Sequence, residues 1–275
     1  MFDKYRWTNV SEIRNQLTLN YEPIQLDVLR SLVRRLPRCT FLDIGANIGA
    51  YSVIIANEPN VFKVYAFEPV PSLIKELRIN FSLNHLESKV DVHEVVLSNE
   101  SGEASFVVRS EHAGDGGVLE THQFKSLPYK SIELFKKDAL DNILSMENEN
   151  LVCKIDVEGH ELEVLQGAER TLKKNKGYLQ IETLNANQAK AVEHYLATHH
   201  WFFLFRLGND SYFSNIEGLN KSDCRLSILE DGLTQFIERT KNGEGAPVRR
   251  KVIKGVTLEI KREYAKMIAR LIFWK

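Results

Sequence analysis

The stretch Phe41-Leu42-Asp43-Ile44-Gly45-Ala46-Asn47-Ile48-Gly49-Ala50-Tyr51-Ser52 constrains this chain more than any other. An apolar run ends in an acid, a turn with two glycines follows, and then a helical start. Such a unit opens an α/β ligand site. The dinucleotide fingerprint needs G-x-G-x-x-G, whose glycines let the backbone approach a pyrophosphate at a helix N-terminus. Here three residues separate Gly45 from Gly49 and the third glycine is missing. The D-x-G-x-N-x-G form suits a ligand without phosphate whose amino-acid portion lies against the loop. S-adenosylmethionine is the common ligand of that kind.

The chain has 275 residues, 43% of them hydrophobic, enough for one sizeable core. Its net charge of -1 offers no bulk attraction to nucleic acid. Cys39, Cys153 and Cys224 are odd in number and widely spaced, which argues against a disulfide framework and a cysteine-rich zinc site. Met1 to Trp7 lacks the apolar core of a signal peptide. No run approaches the ~20 apolar residues needed to span a bilayer. A cytoplasmic location is expected, and no internal repeat is visible.

Residues 1–20 are expected to form an N-terminal extension, 21–240 the catalytic domain, 241–248 a linker and 249–275 a basic amphipathic tail. Ile24 to Leu36 follows helical spacing until Pro37. Strands are expected at Phe41–Ile44, Val64–Phe67, Val90–Leu97, Leu151–Val157, Tyr178–Glu182 and Trp201–Arg206. Helices intervene after Gly49, at Pro71 to Phe81, from Leu162 to Leu172 with Gly177 as its cap, and from Asn187 to Thr198. Strands alternating with helices predict a doubly wound, mainly parallel sheet. Ser98–Asn150 breaks the rhythm, with short extra strands at Ala104–Val108 and Ser131–Phe135 around the polar loop Glu111–Gly117, which His112 and His122 flank. The tail holds nine Lys/Arg against Glu259 and Glu263. It implies packing on its own domain, a homodimer contact, or an anionic membrane or partner surface.

Ligands of such sheets bind at the carboxyl ends of the strands. Asp43, Glu68, Asp156 and Glu182 all fall there. Glu68 can accept both ribose hydroxyls of an adenosine ligand, or it can cap the next helix. Asp43 braces the glycine loop or meets the ligand's amino group. Asn47 tolerates a left-handed backbone and can contact the methionine portion. A second acidic cluster, Asp156-Val157-Glu158-Gly159-His160-Glu161, sits at the rim of the same cleft. Methyl transfer to a hydroxyl needs positioning and a proton acceptor, which a carboxylate or His supplies. Glu161 shares a helical face with Leu165, Ala168 and Leu172 and points inward. The helix N-terminus disfavours an imidazolium at His160, although a solvent-facing His is an equal reading. The acids could hold a divalent metal, but no ligand spacing here is diagnostic of one.

FLDIGANIGAYS (41–52), VYAFEPVPSLIKELRINFSLN (64–84), VVLSNESGEASF (95–106), KKDALDNIL (136–144) and KIDVEGHELEVLQGAERTL (154–172) together resemble the FkbM family of S-adenosylmethionine-dependent methyltransferases. The match runs in order over about residues 20–185. It implies a class I methyltransferase fold with strand order 3-2-1-4-5-7-6. It also implies O-methylation of a sugar, glycan or related natural product.

The expected reading is an O-methyltransferase acting on a carbohydrate hydroxyl. Asp43, Gly45, Asn47, Gly49, Glu68 and Asp156 are assigned to the cofactor, with Ser98 and Asn99 bordering the adenine. Asp156, Glu158, His160, Glu161 and Glu182 are assigned to the acceptor side. Rival readings are a nicotinamide-dependent oxidoreductase and a non-catalytic cofactor-binding subunit of a glycan-assembly complex.

Overall fold

The computed structural model describes residues 23–108, 116–121, 131–219 and 221–241. The expected extension at 1–20, the loop histidines His112 and His122, the linker beyond Lys241 and the basic tail lie outside the described residues. A helix, α1 (Pro23–Arg34), precedes β1 (Cys39–Ile44), α2 (Ala50–Ala56), β2 (Val61–Phe67), α3 (Pro71–Leu83) and β3 (Val90–His93). Next come β4 (Val96–Leu97), β5 (Gly102–Val108), β6 (Gly117–Val118), β7 (Ser131–Asp138) and α4 (Leu140–Ile143). The remainder is β8 (Asn150–Ile155), α5 (Glu161–Gln166), α6 (Glu169–Lys174), β9 (Lys176–Glu182), α7 (Ala186–Thr198), β10 (Phe202–Leu207), β11 (Asp210–Ser214) and α8 (Ser222–Lys241).

Seven strands form one sheet in the order β10-β11-β9-β8-β1-β2-β3. β3, β2, β1, β8 and β9 pair in parallel, while β11 runs antiparallel to both β9 and β10. Strand period sends alternate residues to opposite faces. Phe41, Val152, Tyr178 and Tyr212 therefore join one core with α1, α2 and α8. Leu42, Cys153, Leu179 and Phe213 join the other with α5, α6 and α7. Both faces are covered, which is why the central strands are apolar throughout. A second sheet, β4-β7-β5-β6, buries Val96, Phe106 and Val118 against Val70 and Leu73 at the start of α3. No helix among the described residues is long and apolar enough to cross a membrane.

Three local expectations need correction. The third strand is not continuous over Val90–Leu97: β3 ends at His93, and Val96–Leu97 pairs instead with Lys137–Asp138 of β7 in the second sheet. The helix expected over Leu162–Leu172 is two helices, α5 and α6, meeting at Gly167 and Ala168. The break has its own cap. The Asp141 carboxylate accepts from the N–H groups of Arg170 (2.6 Å) and Thr171 (2.9 Å), the orphan donors of α6. Gly177 caps nothing. It lies within β9, where a Cβ would stand 1.7 Å from the Leu151 carbonyl oxygen.

Candidate active site

The carboxyl ends of β1, β2 and β8 meet around an open cleft. The loop after β1 makes its floor. Gly45 has φ +79, and a Cβ there would lie 1.8 Å from the Asp156 carbonyl oxygen, so only glycine lets the two strand ends come this close. Gly49, at φ +83, starts α2 in a left-handed conformation with the Phe81 ring 2.8 Å from where a Cβ would be. Asn47 is also left-handed, at φ 51.

Glu68 closes this loop onto β2. Its Oε2 accepts from the Asn47 N–H at 2.9 Å and its Oε1 from the Val70 N–H at 3.0 Å. Glu68 thus braces the start of α3 and lines the cleft as well. Burial raises its pKa to about 7, against the opposing pull of these two amides. Asp43 lies one layer below, 1% exposed. Its Oδ2 accepts from the Ser52 N–H (2.9 Å) and hydroxyl (2.6 Å), and burial raises its pKa.

At the end of β8, Asp156 lines the cleft and takes a 2.6 Å bond from Lys154 Nζ. Lys154 is 3% exposed and lies 4.7 Å from the Tyr51 ring centroid. Sequence reasoning passed over Lys154; a lone cation inside the apolar strand Leu151–Ile155 was the available signal. It also passed over the cleft's apolar wall, to which Leu73, Val95, Leu97, Phe106 and Val118 belong.

His160 lines the cleft and is buried, not solvent-facing. Its Nε2 is 3.1 Å from Ser98 Oγ. Burial holds its pKa below the ordinary value, with Glu163 opposing, so the ring is neutral near pH 7. Glu161 points inward as its helical face requires. It is 2% exposed, its Oε1 accepts from the Gly159 N–H at 2.8 Å, and burial raises its pKa to about 7. The structure therefore gathers Gly45, Asn47, Glu68, Asp156, Glu158 and His160 around one cleft. Asp43, Gly49, Ser98 and Glu161 sit behind its wall; Asn99 bonds Gln166, and Glu182 ends β9 beside Asp210 of β11. Among the described residues lining the cleft there is no lysine or arginine. No grouping of His, Cys, Asp and Glu suited to a metal ion occurs among the described residues.

The strand order, the antiparallel β11 and a cleft at the strand ends define a class I methyltransferase fold. The domain described as "Methyltransferase FkbM domain" matches residues 43–211, and the chain belongs to that family. It is similar to the hexuronic acid methyltransferase AglP of Haloferax volcanii, 35% identical over 147 residues, covering 53% of this chain and 57% of the relative. It is also similar to methyltransferase 1 of Beauveria bassiana, 25% identical over 143 residues, covering 46% and 57%. The chain thus spans little more than half the length of these relatives. Among solved structures it is similar to an FkbM methyltransferase from Methylobacillus flagellatus KT, with a TM-score of 0.48 and 17% identity, covering 65% of this chain and 44% of that one.

Proposed function

We propose that this chain is an S-adenosylmethionine-dependent O-methyltransferase acting on a carbohydrate hydroxyl. The observation that carries the reading is the charge of the cleft. Glu68, Asp156 and Glu158 line it, Lys154 offsets only Asp156 from beneath, and no lysine or arginine is among the described residues of the lining. Such a lining favours a cationic ligand and repels a pyrophosphate. That weighs against a nicotinamide cofactor, whose phosphates would also lack the glycine-rich cradle.

The residues present fit the cofactor. Glu68 still has carboxylate lone pairs for ribose hydroxyls beyond its two amide bonds. Gly45 and Asn47 would lie along the methionine portion, and Val95 and Leu97 would cover the adenine. When bound, the cofactor supplies an electrophilic methyl group on a good leaving group. The chain's own residues then orient the acceptor oxygen and take its proton.

Of the acids, Asp156 is held by the Lys154 ammonium at 2.6 Å and is suited to orienting a hydroxyl. Glu161 is sealed beneath the Gly159 turn. His160 is neutral and lines the cleft, and we assign it as the proton acceptor. The hexuronic acid methyltransferase relative supports a sugar acceptor.

Calorimetry with S-adenosylhomocysteine and with NAD tests the cofactor, and only the first is expected to bind. Mass spectrometry of uronic-acid glycans incubated with the chain and S-adenosylmethionine tests the reaction. The expected product carries one added methyl on oxygen. Binding of NAD in place of S-adenosylhomocysteine would overturn the reading.

A further inference from the structure

The hydrogen bonds around His160 determine which of its nitrogens can take a proton. Asn99 Nδ2 donates to Gln166 Oε1 at 2.9 Å, which turns Asn99 Oδ1 toward Ser98. The Ser98 hydroxyl donates to that Oδ1 at 3.3 Å. A hydroxyl has one proton, so toward His160 the same oxygen can only accept. With the Ser98 proton on Asn99 Oδ1, the 3.1 Å contact between Ser98 Oγ and His160 Nε2 is one that Nε2–H donates. Ser98 cannot drift from this post. It is 2% exposed, and its own N–H is bonded to the Asp138 carbonyl at 2.9 Å.

Nδ1 is left with the lone pair. Glu163 Oε2 stands 3.6 Å from it, too far for a hydrogen bond but close enough to favour a charge there. Of the other charged groups around the ring, Glu120 beyond β6 also favours the charged form and Lys137 of β7 opposes it. Glu68 and Glu158 share the cleft.

We propose that Ser98 is a positioning residue that holds neutral His160 with its proton on Nε2, leaving Nδ1 to accept the acceptor's proton and Glu163 to balance the imidazolium. This moves Ser98 from the adenine border to the service of His160. It rests on the methyl-transfer reading only for the source of the proton. As the acceptor oxygen bonds the methyl carbon, the carbon–sulfur electron pair returns to sulfur and the acceptor's proton passes to Nδ1. The positive charge moves from sulfonium to imidazolium, and no other reactant is needed.

The test is a two-bond proton–nitrogen correlation spectrum of the full ¹⁵N-labelled chain above the pKa of His160. Loss of signals in His160→Gln assigns the ring. The expected pattern is a protonated Nε2 and a lone-pair Nδ1; the reverse pattern, or equal mixing, overturns the proposal. Ser98→Ala is expected to mix the tautomers and lower turnover on the order of tenfold, as loss of a histidine-orienting partner does, with S-adenosylhomocysteine affinity unchanged. Ser98→Thr keeps the hydroxyl and should restore both. Glu163→Gln should lower the pKa of the kinetic profile and leave the neutral tautomer alone. Full turnover in Ser98→Ala with mixed tautomers would overturn the positioning role. If wild-type chain shows the expected tautomer but binds no S-adenosylhomocysteine, the cofactor reading fails and the tautomer assignment stands.

Discussion

Glu68 Oε2 accepts the backbone N–H of Asn47 at 2.9 Å, so one carboxylate ties the end of β2 to the glycine loop after β1. The other oxygen holds Val70, the residue before α3. A group with both duties couples the shape of the loop to the charge of the cleft. Replacing it should therefore alter ligand affinity more than global stability.

Glu68→Gln is expected to weaken S-adenosylhomocysteine binding by ~1.5–3 kcal/mol, the worth of a hydrogen bond to a charged acceptor. Its pH dependence has a definite sign. Burial raises the free carboxyl from 4.5 to about 7. Ribose hydroxyls donate to the ionised form, so the pKa falls when the ligand binds. Affinity should rise as pH increases toward 7 and level off above it. Calorimetry at pH 6.5 in buffers of different ionisation enthalpy should detect proton release in the wild type and none in Glu68→Gln. Proton uptake instead would remove Glu68 from the ligand.

Glu161 has a stability signature. Its folded pKa is raised from 4.5 to about 7, so the folded state holds a proton that the unfolded chain has released. Its contribution is fully present below 4.5 and is lost as pH rises through 7, amounting to up to ~3 kcal/mol. Glu161→Gln keeps an oxygen for the Gly159 N–H and removes the buried charge. The variant should melt higher than wild type at pH 8.5, with the gap closing toward pH 5. A uniform drop in melting temperature at every pH would show that this carboxylate stabilises the fold in its ionised form.

The Lys154–Asp156 pair offers a double-mutant test. Lys154→Met leaves Asp156 next to the buried Asp43 without its ammonium, and loss of one partner of a buried pair costs ~3–5 kcal/mol. Asp156→Asn added to Lys154→Met should recover part of that loss, because the uncompensated charge is gone. Urea denaturation of the two single variants and the double variant measures the coupling. Strictly additive losses would mean that the two side chains contribute independently.

The elements around the glycine loop were legible because each carries a local signature. Gly45, Asn47 and Glu68 lie where backbone sterics and strand-end geometry demand those residue types. The apolar period of α1 was equally plain. What escaped depended on distant pairing. Nothing in Val96–Leu97 shows that it leaves β3 for β7, 40 residues on. The strand order implied by the resemblance already put a seventh strand between β9 and β10, but β11 is short and half polar and its residues were not assigned to a strand. α8 did leave a signal, since Leu229, Leu233 and Phe236 recur at helical spacing and are buried, Leu229 and Leu233 in the same core as α1. Ser98 was found by position, at the end of a strand. Its partner His160 is 62 residues away, so its use could not be seen.

The assignment of His160 as proton acceptor is tested against the three other groups by which quantities change together. His160→Gln is expected to lose ~10²–10⁴ in turnover and keep S-adenosylhomocysteine affinity, the mark of a lost base. Asp156→Asn should lose turnover, affinity and melting temperature together, because it also strips the buried Lys154 of its carboxylate. Glu161→Gln should change melting temperature alone, in the pH-dependent sense argued above. Glu182→Gln should leave affinity intact, since Glu182 does not line the cleft. Each variant would be assayed for turnover on uronic-acid glycans, ligand affinity and melting temperature. Near-full turnover in His160→Gln would exclude it, and a selective turnover loss in Glu182→Gln would move the base to the end of β9.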